Sequence, residues 1–271
     1  MSESAARPGD YDILIAGAGA VGASLACALA GSASRVGIIE AVPLAGGDRS
    51  THDGRGLALS LGTRQKLAAS GVWPLLDAHA NPIEHIHVSH RGHFGAVHLD
   101  AARLGLPALG YVVPALRLGR ALLDRIGTAD NIDLICPARL VSLRQDDDRV
   151  RVMLDEDGER RELNAALLVG ADGSRSRVRE LCAIGTSVKD YGHTAIVSSV
   201  QPAEPHNNTA YERFTDSGPL ALLPLRDGRC VSVCCFGHDA AAGLMAQSDA
   251  VFLGHAGTAF RRPPGSFLRA R

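Results

Sequence analysis

The sequence predicts an α/β protein with a parallel sheet, an inserted β-meander and a second, mostly β domain. Three observations carry the prediction. An apolar run from Tyr11 to Ala16 ends in a glycine-rich turn and gives way to a helix of small residues. A second apolar run, Ala165 to Val169, ends far along the chain in Gly170-Ala171-Asp172-Gly173. From about Lys189 the texture changes to alternating β segments: "AIVSSV", "AYERFTDSGPLALLPL" and "RCVSVCCFG". The chain has 271 residues, 46% of them hydrophobic, enough for a real core in one large or two modest domains. Thirty glycines against 4% aromatics suit an α/β protein rich in tight turns better than an aromatic-rich sandwich.

Along the chain, Tyr11–Ala16 reads as a buried strand, about Ala20 to Ala30 as a helix, and Arg35 to Glu40 as a second buried strand parallel to the first. This βαβ unit makes the first domain Rossmann-like. The uncharged stretch Ile13 to Ala30 has the length of a membrane span, but Gly17, Gly19 and Gly22 mark it as strand, turn and helix. The acidic "MSESAARPGDYD" before it is no signal-peptide n-region, and no targeting segment is expected. Thr63 to Ser70 is helical and stopped by Gly71. Glu84 to Leu99 alternates as a hairpin turning at "HRGHFG", and Leu116 to Ile126 has helical apolar spacing. Ile132 to Leu143 is a strand pair or a bent strand. Val150–Leu154 and Arg160–Leu163 form a hairpin across "DEDGE", after which Ala165–Val169 returns to the main sheet. A last helix, Asp249 to Phe260, is expected to be capped by Ser248.

Charge and cysteines exclude several classes. Lys and Arg number 28 against 29 for Asp and Glu, so no basic field recruits nucleic acid. Six scattered cysteines form neither a disulfide framework nor a C-x-x-C pair and read as reduced thiols of a cytosolic protein. A zinc site at Cys230 and Cys234 lacks a second ligand pair, and no metal is expected. His85, His87, His90, His93 and His98 crowd one hairpin and read as its variable surface. Arg261, Arg262, Arg269 and Arg271 form a basic end.

Gly17-Ala18-Gly19-Ala20-Val21-Gly22 matches G-x-G-x-x-G in the context that gives the pattern meaning, after a strand and opening a helix. Gly17 allows the turn, Gly19 lets backbone approach a pyrophosphate, and Gly22 lets helix and strand pack closely. The helix N-terminus offers N–H groups to phosphate. Glu40 ends the second strand, where an acid accepts from a ribose. That favours a free 2′-hydroxyl and leaves FAD or NAD rather than NADP. A simple NAD dehydrogenase continues with alternating strands and helices, whereas this chain makes a long excursion and returns at "ALLVGADG". Asp172 can accept from a ribityl hydroxyl or a phosphate-bound water, Gly173 allows close approach, and Ser174 is the natural N-cap of the next helix. Arg175 and Arg179, four apart, are expected on one solvated helix face. Two turns thus point to one long dinucleotide, FAD.

The blocks "ILIAGAGAVGASLACALA…IIEA", "DGRGLALSLGTRQKLAASGVW" and "LLVGADGSRSRVRE" resemble the FAD-dependent aromatic hydroxylases of the para-hydroxybenzoate hydroxylase fold. "HVSHRGHFG", "YVV" and "ERFTDSGPLALLPLRDGRC" resemble in particular the 2-polyprenyl-6-methoxyphenol hydroxylases of ubiquinone biosynthesis. The likeness runs from about Tyr11 to Cys235. It implies FAD contacts at Gly17, Gly19, Gly22 and Glu40, an arginine beside the flavin at Arg55, a further contact near Arg120, and an Asp-Gly motif at Asp172 and Gly173. It implies an FAD-binding domain over 10–75 and 103–185, a substrate-binding domain over 76–102 and 186–260, and a basic tail over 261–271.

The implied reaction is NAD(P)H-dependent hydroxylation of a polyprenylated methoxyphenol by O₂ through a flavin C4a-hydroperoxide, with no catalytic side chain required. "GPLALLPL", with Gly218, Pro219 and Leu220, is the candidate wall of the substrate cavity. A prenyl tail implies a cytoplasmic protein in peripheral contact with the inner face of the membrane, or associated with other proteins of ubiquinone biosynthesis. The family's Gly-Asp motif and C-terminal helices are missing, so the sequence reads as C-terminally truncated. The alternatives are an inactive fragment that binds FAD weakly or not at all, and another flavoenzyme of the fold, such as a prenyl reductase or a hydroxylase acting at a different ring position.

Overall fold

The computed structural model describes residues 10–44, 55–248 and 254. The chain divides into two compact units, one drawn from 1–51, 66–75 and 118–187 and the other from 52–65, 76–117 and 188–271.

The first unit is built on a six-stranded sheet in the order Ile132–Ile135, Val36–Ile39, Asp10–Ala16, Glu159–Gly170, Val150–Glu156, Arg139–Gln145. The first four strands are parallel, and the last two continue the sheet antiparallel. Residues expected as two separate strands, 160–163 and 165–169, are one twelve-residue strand, Glu159–Gly170. Its first half closes the hairpin on Val150–Glu156 through the Asp157-Gly158 turn, and its second half pairs with Asp10–Ala16. The register sets Ala16 beside both Ile39 and Gly170, and Ile39 beside Ile135. The carboxyl ends of all four parallel strands therefore lie level.

Alternation along these strands buries Leu14, Val152, Leu154 and Leu163 completely, and they pack with Tyr11, Ile39 and Ala165 in one core cluster. Helix Ala20–Leu29 turns Gly22, Ala23, Ala26 and Cys27 inward, small residues that let it lie close to the sheet. The stretch with the length of a membrane span is thus a strand and this helix, and among the described residues no helix is long and apolar enough to cross a membrane. In helix Ala115–Gly127, Leu118, Ala121, Leu122 and Ile126 form the buried stripe, whereas Leu116, which the apolar spacing included, is exposed. Asn131 ties the layers together: its amide donates to the carbonyls of Leu29 and Ser34 and accepts from Gly31 N–H.

The second unit carries a six-stranded sheet in the order His193–Val200, Cys230–Gly237, Gly218–Pro224, Thr209–Thr215, His85–His90, Ala96–Asp100. Only Thr209–Thr215 and His85–His90 run parallel. A smaller sheet, Gly56–Ser60, Gly110–Pro114 and Asn81–Ile83, packs against it through Ile83, Val112, Ala210, Leu225 and Val231. These pairings place 56–60 and 110–114 in the second unit, whereas the sequence grouped them with the first domain. Gly56 is glycine because a Cβ there would lie 2.7 Å from the Val231 side chain.

All six cysteines are free thiols. Burial pushes Cys27 up to about 11 and Cys230 up to about 12, so both stay protonated and behave as packing groups. A short helix, His238–Met245, follows the last strand. The helix expected over 249–260 and the basic tail lie outside the described residues, Gly254 apart.

Candidate dinucleotide-binding site

The level strand ends of the first unit bring the chemistry together. Gly17 follows the first strand with φ +101°, and a Cβ on it would lie 2.6 Å from the Ala171 carbonyl oxygen. The turn after Ala16 and the turn after Gly170 are therefore in backbone contact, and Ala171 N–H donates to Ala16 O at 2.8 Å. Gly22 sits inside the helix, where a Cβ would collide with the Gly17 carbonyl oxygen. Its role is packing, and it does not line the cavity described below. Gly19 differs: a Cβ there meets nothing within 4 Å, and no side chain caps the helix it opens. That open face with uncapped N–H groups is a phosphate cradle in form.

Glu40 is buried, 7% exposed, at the end of the second strand. One carboxylate oxygen accepts from Ala18 N–H and the other from Val42 N–H, each at 2.9 Å. The acid predicted to meet a ribose therefore also pins the glycine turn to the neighbouring strand. Each carboxylate oxygen has lone-pair capacity for a further donor.

Asp172 divides its labour in the same way. Oδ2 accepts from Arg177 N–H at 2.6 Å and Val178 N–H at 3.0 Å, which fixes the start of helix Arg177–Leu181. Oδ1 is buried without a hydrogen-bond partner, the arrangement that a ligand hydroxyl or a bound water satisfies. Burial pushes this carboxyl up, but hydrogen bonds from the Ser176 hydroxyl and from backbone N–H groups outweigh it and hold the group below the ordinary carboxylate value. Asp172 is thus ionised at neutral pH. The helix cap is Ser176, whose hydroxyl accepts from Arg179 N–H at 3.0 Å, and not Ser174 as the sequence suggested. The turn continues two residues further because Asp172 itself caps the first N–H groups. Arg175 accordingly precedes the helix and does not share a helical face with Arg179.

A cavity of about 760 Å³ joins these parts, within the range of about 300–1,000 Å³ for cofactor sites. Gly17, Gly19, Glu40, Asp172, Gly173 and Arg175 line it. Leu140 and Val141 add an apolar wall and Arg139 and Arg177 add charge, contributions that nothing in the sequence singled out. Arg177 is already engaged, donating to Val141 O and pairing with Glu180 at 2.9 Å. Arg175 has no ion-pair partner among the described residues. Glycines where a side chain cannot fit, an open glycine at a helix start, two acids and a spare arginine fit a dinucleotide.

The other predicted positions fall elsewhere. Arg120 is exposed on helix Ala115–Gly127 and does not line this cavity. Arg55 belongs to the second unit, where its carbonyl accepts from Ala115 N–H at 2.9 Å. Gly218 begins a strand with φ +127°, Pro219 is exposed, and Leu220 is fully buried among Val200, Leu222, Cys230 and Cys234. Leu220 is therefore a core residue of its sheet.

The model of the family described as "FAD binding domain" matches residues 10–256. The ubiquinone hydroxylase UbiL of Rhodospirillum rubrum is 39% identical over 87% of this chain and 54% of its own length. The 3-demethoxyubiquinol 3-hydroxylase of Escherichia coli is 34% identical over 80% of this chain and 55% of its own. The chain spans about half the length of these curated relatives. Among solved structures, the probable FAD-dependent monooxygenase PqsL of Pseudomonas aeruginosa superposes with a TM-score of 0.75 at 22% identity, covering 91% of this chain and 66% of that one, a likeness of fold. By the extent of the family match, and by a cavity in which both glycine turns and Glu40 meet, the chain belongs to the FAD binding domain family.

Proposed function

We propose that the chain holds FAD in a monooxygenase that hydroxylates the ring of a polyprenylated methoxyphenol in ubiquinone biosynthesis, using NAD(P)H and O₂. The observation that carries the reading is the single cavity in which Gly17, Gly19, Glu40 and Asp172 meet. Relatives named as ubiquinone hydroxylases support the substrate class.

When bound, FAD supplies the redox chemistry: it takes electrons from a nicotinamide cofactor and activates O₂ for transfer to an electron-rich ring. The chain's own residues bind and orient. The N–H groups at the start of helix Ala20–Leu29 and the open face of Gly19 receive the pyrophosphate, and Glu40 accepts from the adenosine ribose. Asp172, ionised and with Oδ1 free to accept, takes a ribityl hydroxyl, and Arg175 adds positive charge beside the phosphates. By resemblance, Arg55 is assigned beside the flavin and Arg120 near a further contact to the cofactor. Gly218, Pro219 and Leu220 belong to the strand proposed to back the phenol, with Leu220 supporting it from the core. A prenyl tail calls for peripheral membrane contact.

Titration of the purified chain with FAD, followed by its visible spectrum, tests the core of this reading. Saturable binding with perturbed flavin bands is the expected result. A folded sample that leaves the flavin bands unchanged overturns it. Product analysis with a prenylated phenol on the longer protein tests the reaction, and flotation with anionic vesicles tests the membrane contact.

A further inference from the structure

The hairpin of His85–His90 and Ala96–Asp100 forms one edge of the large sheet in the second unit and has no part in the dinucleotide cavity. Register decides which of its histidines meet. His87 stands directly opposite His98, and His85 opposite Asp100. Opposite residues share a face and alternate positions return to it, so these four side chains lie on one face of the ribbon. The parallel neighbour, Thr209–Thr215, sets Tyr211 beside His87 and Arg213 beside Ser89 on that same face, and Glu212 on the other.

His87 Nδ1 and His98 Nε2 are 2.7 Å apart, with ring centroids 4.5 Å apart. In neutral rings one proton holds this pair: one nitrogen donates and the other accepts. A metal ion can take the place of that proton, because the donating nitrogen gains a lone pair once its proton moves to the far nitrogen of the ring. The spacing selects a coordination geometry. Two nitrogens bound at about 2.0–2.1 Å are about 2.9 Å apart when the bonds meet at a right angle, and about 3.3 Å apart in a tetrahedron. The pair stands close to the first value and well short of the second. Right-angled nitrogen sets are the square-planar or tetragonal sites of Cu²⁺ and Ni²⁺, whereas Zn²⁺ takes a tetrahedron. Strand pairing already holds the two rings within reach of one ion.

We propose that His87 and His98 chelate a divalent late transition-metal ion, Ni²⁺ or Cu²⁺ ahead of Zn²⁺, which clamps the edge strand of the sheet to its neighbour. Among the described residues no three His, Cys, Asp or Glu side chains group around one point, so the site has two protein ligands and water in the remaining positions. Asp100 is engaged with His85 at 3.3 Å and with Arg103 N–H at 3.0 Å, and it adds negative charge one pair further along. Arg213 and Arg103 are the opposing cations. Burial, and then the charges of His98 and Arg213, hold His87 below the ordinary imidazole value, so it is neutral at about pH 7 and able to ligate. Acidification sets protons against the ion, and affinity falls as pH drops.

Calorimetric titration of the untagged full chain with Ni²⁺ at about pH 7.5 tests the site, against Zn²⁺ and Mg²⁺. One Ni²⁺ site is expected, with Zn²⁺ weaker and Mg²⁺, which prefers oxygen ligands, unbound. His98→Gln removes one ligand at an exposed position and is expected to weaken Ni²⁺ about tenfold or more. His93→Gln, at the hairpin tip, is expected to leave the affinity unchanged. Ni²⁺ should also raise the thermal midpoint of the native chain at about pH 7.5 and lose that effect at about pH 5. Native affinity in a folded His98→Gln chain overturns the proposal, as does a loss confined to His93→Gln. Zn²⁺ bound as tightly as Ni²⁺ overturns the right-angled geometry. If His98→Gln does not fold, the midpoint of the native chain decides, and no rise with Ni²⁺ overturns the site.

Discussion

The two turns of the dinucleotide site touch each other, yet they are built on different physics. The turn at Gly17–Gly22 is held by exclusion: a Cβ at Gly17 meets the Ala171 backbone, and one at Gly22 meets the Gly17 carbonyl. The turn at Asp172–Gly173 is held by attraction: one carboxylate oxygen gathers two backbone N–H groups, and Gly173 has open space around it. A steric turn has no graded response to substitution, whereas a hydrogen-bonded turn loses stability in steps. Glu40 belongs to both kinds, because its carboxylate holds the steric turn in place through Ala18 N–H.

The comparison breaks first at Gly22. Gly22→Val puts side-chain atoms where the Gly17 carbonyl oxygen already is, and overpacking of this kind costs about 3 kcal/mol. Urea denaturation is expected to show that loss together with loss of FAD binding. A variant of near-native midpoint contradicts the steric account. Next comes Glu40→Gln. An amide matches one of the two N–H donors and turns its own NH₂ toward the other, leaving a buried donor unmet at a cost of about 2 kcal/mol. FAD affinity should fall with it, since the proposed ribose contact rests on the same group that holds the turn.

Asp172→Ala sharpens the other half. Loss of a capping carboxylate costs about 1 kcal/mol, and the expected sign of a charge effect is a change in pH dependence. The folded carboxyl lies below its ordinary value, so its contribution is fully present above the unfolded value of about 3.9 and is lost as pH falls through the folded one. The wild type should therefore lose stability on acidification more steeply than Asp172→Ala between about pH 5 and pH 2. Parallel acid profiles for the two chains contradict the assignment of Asp172 as the capping carboxylate.

Sequence and structure agree where the signal is local. The strand–Gly17–helix–Glu40 unit is contiguous, so pattern and spacing sufficed. The return strand was legible at its apolar end, but its continuity with the hairpin was not. "DEDGE" marks a turn, and Asn164 interrupts the apolar pattern at the very point where the strand passes from antiparallel to parallel pairing. The placement of 56–60 and 110–114 in the second unit depends on pairing between segments distant in sequence, which no local period reports. Ser174 and Ser176 are equally good caps by type, and only the reach of the Asp172 side chain decides between them. Arg139, Leu140 and Val141 reach the cavity because the edge strand of the sheet begins there, information held in the topology.

Gly19 gives the smallest effect on stability and the cleanest test of function. Its φ of −67° is open to any residue, and a Cβ there meets nothing within 4 Å. No feature of the fold requires glycine at this position, in contrast to Gly17, where a Cβ would meet the Ala171 backbone, and Gly22 inside the helix, where one would meet the Gly17 carbonyl. Gly19→Ala should cost less than about 1 kcal/mol: it touches no core, and it replaces an N-cap glycine that makes no side-chain hydrogen bond with alanine, a poorer N-cap. If the pyrophosphate lies against this backbone, the added methyl stands between them, and FAD affinity should fall about tenfold or more with the fold intact. A stable Gly19→Ala chain that binds FAD as tightly as the wild type moves the phosphates away from the helix start. The glycine pattern would then be a packing device at Gly17 and Gly22 alone, and the ligand contacts would rest on Glu40, Asp172 and Arg175.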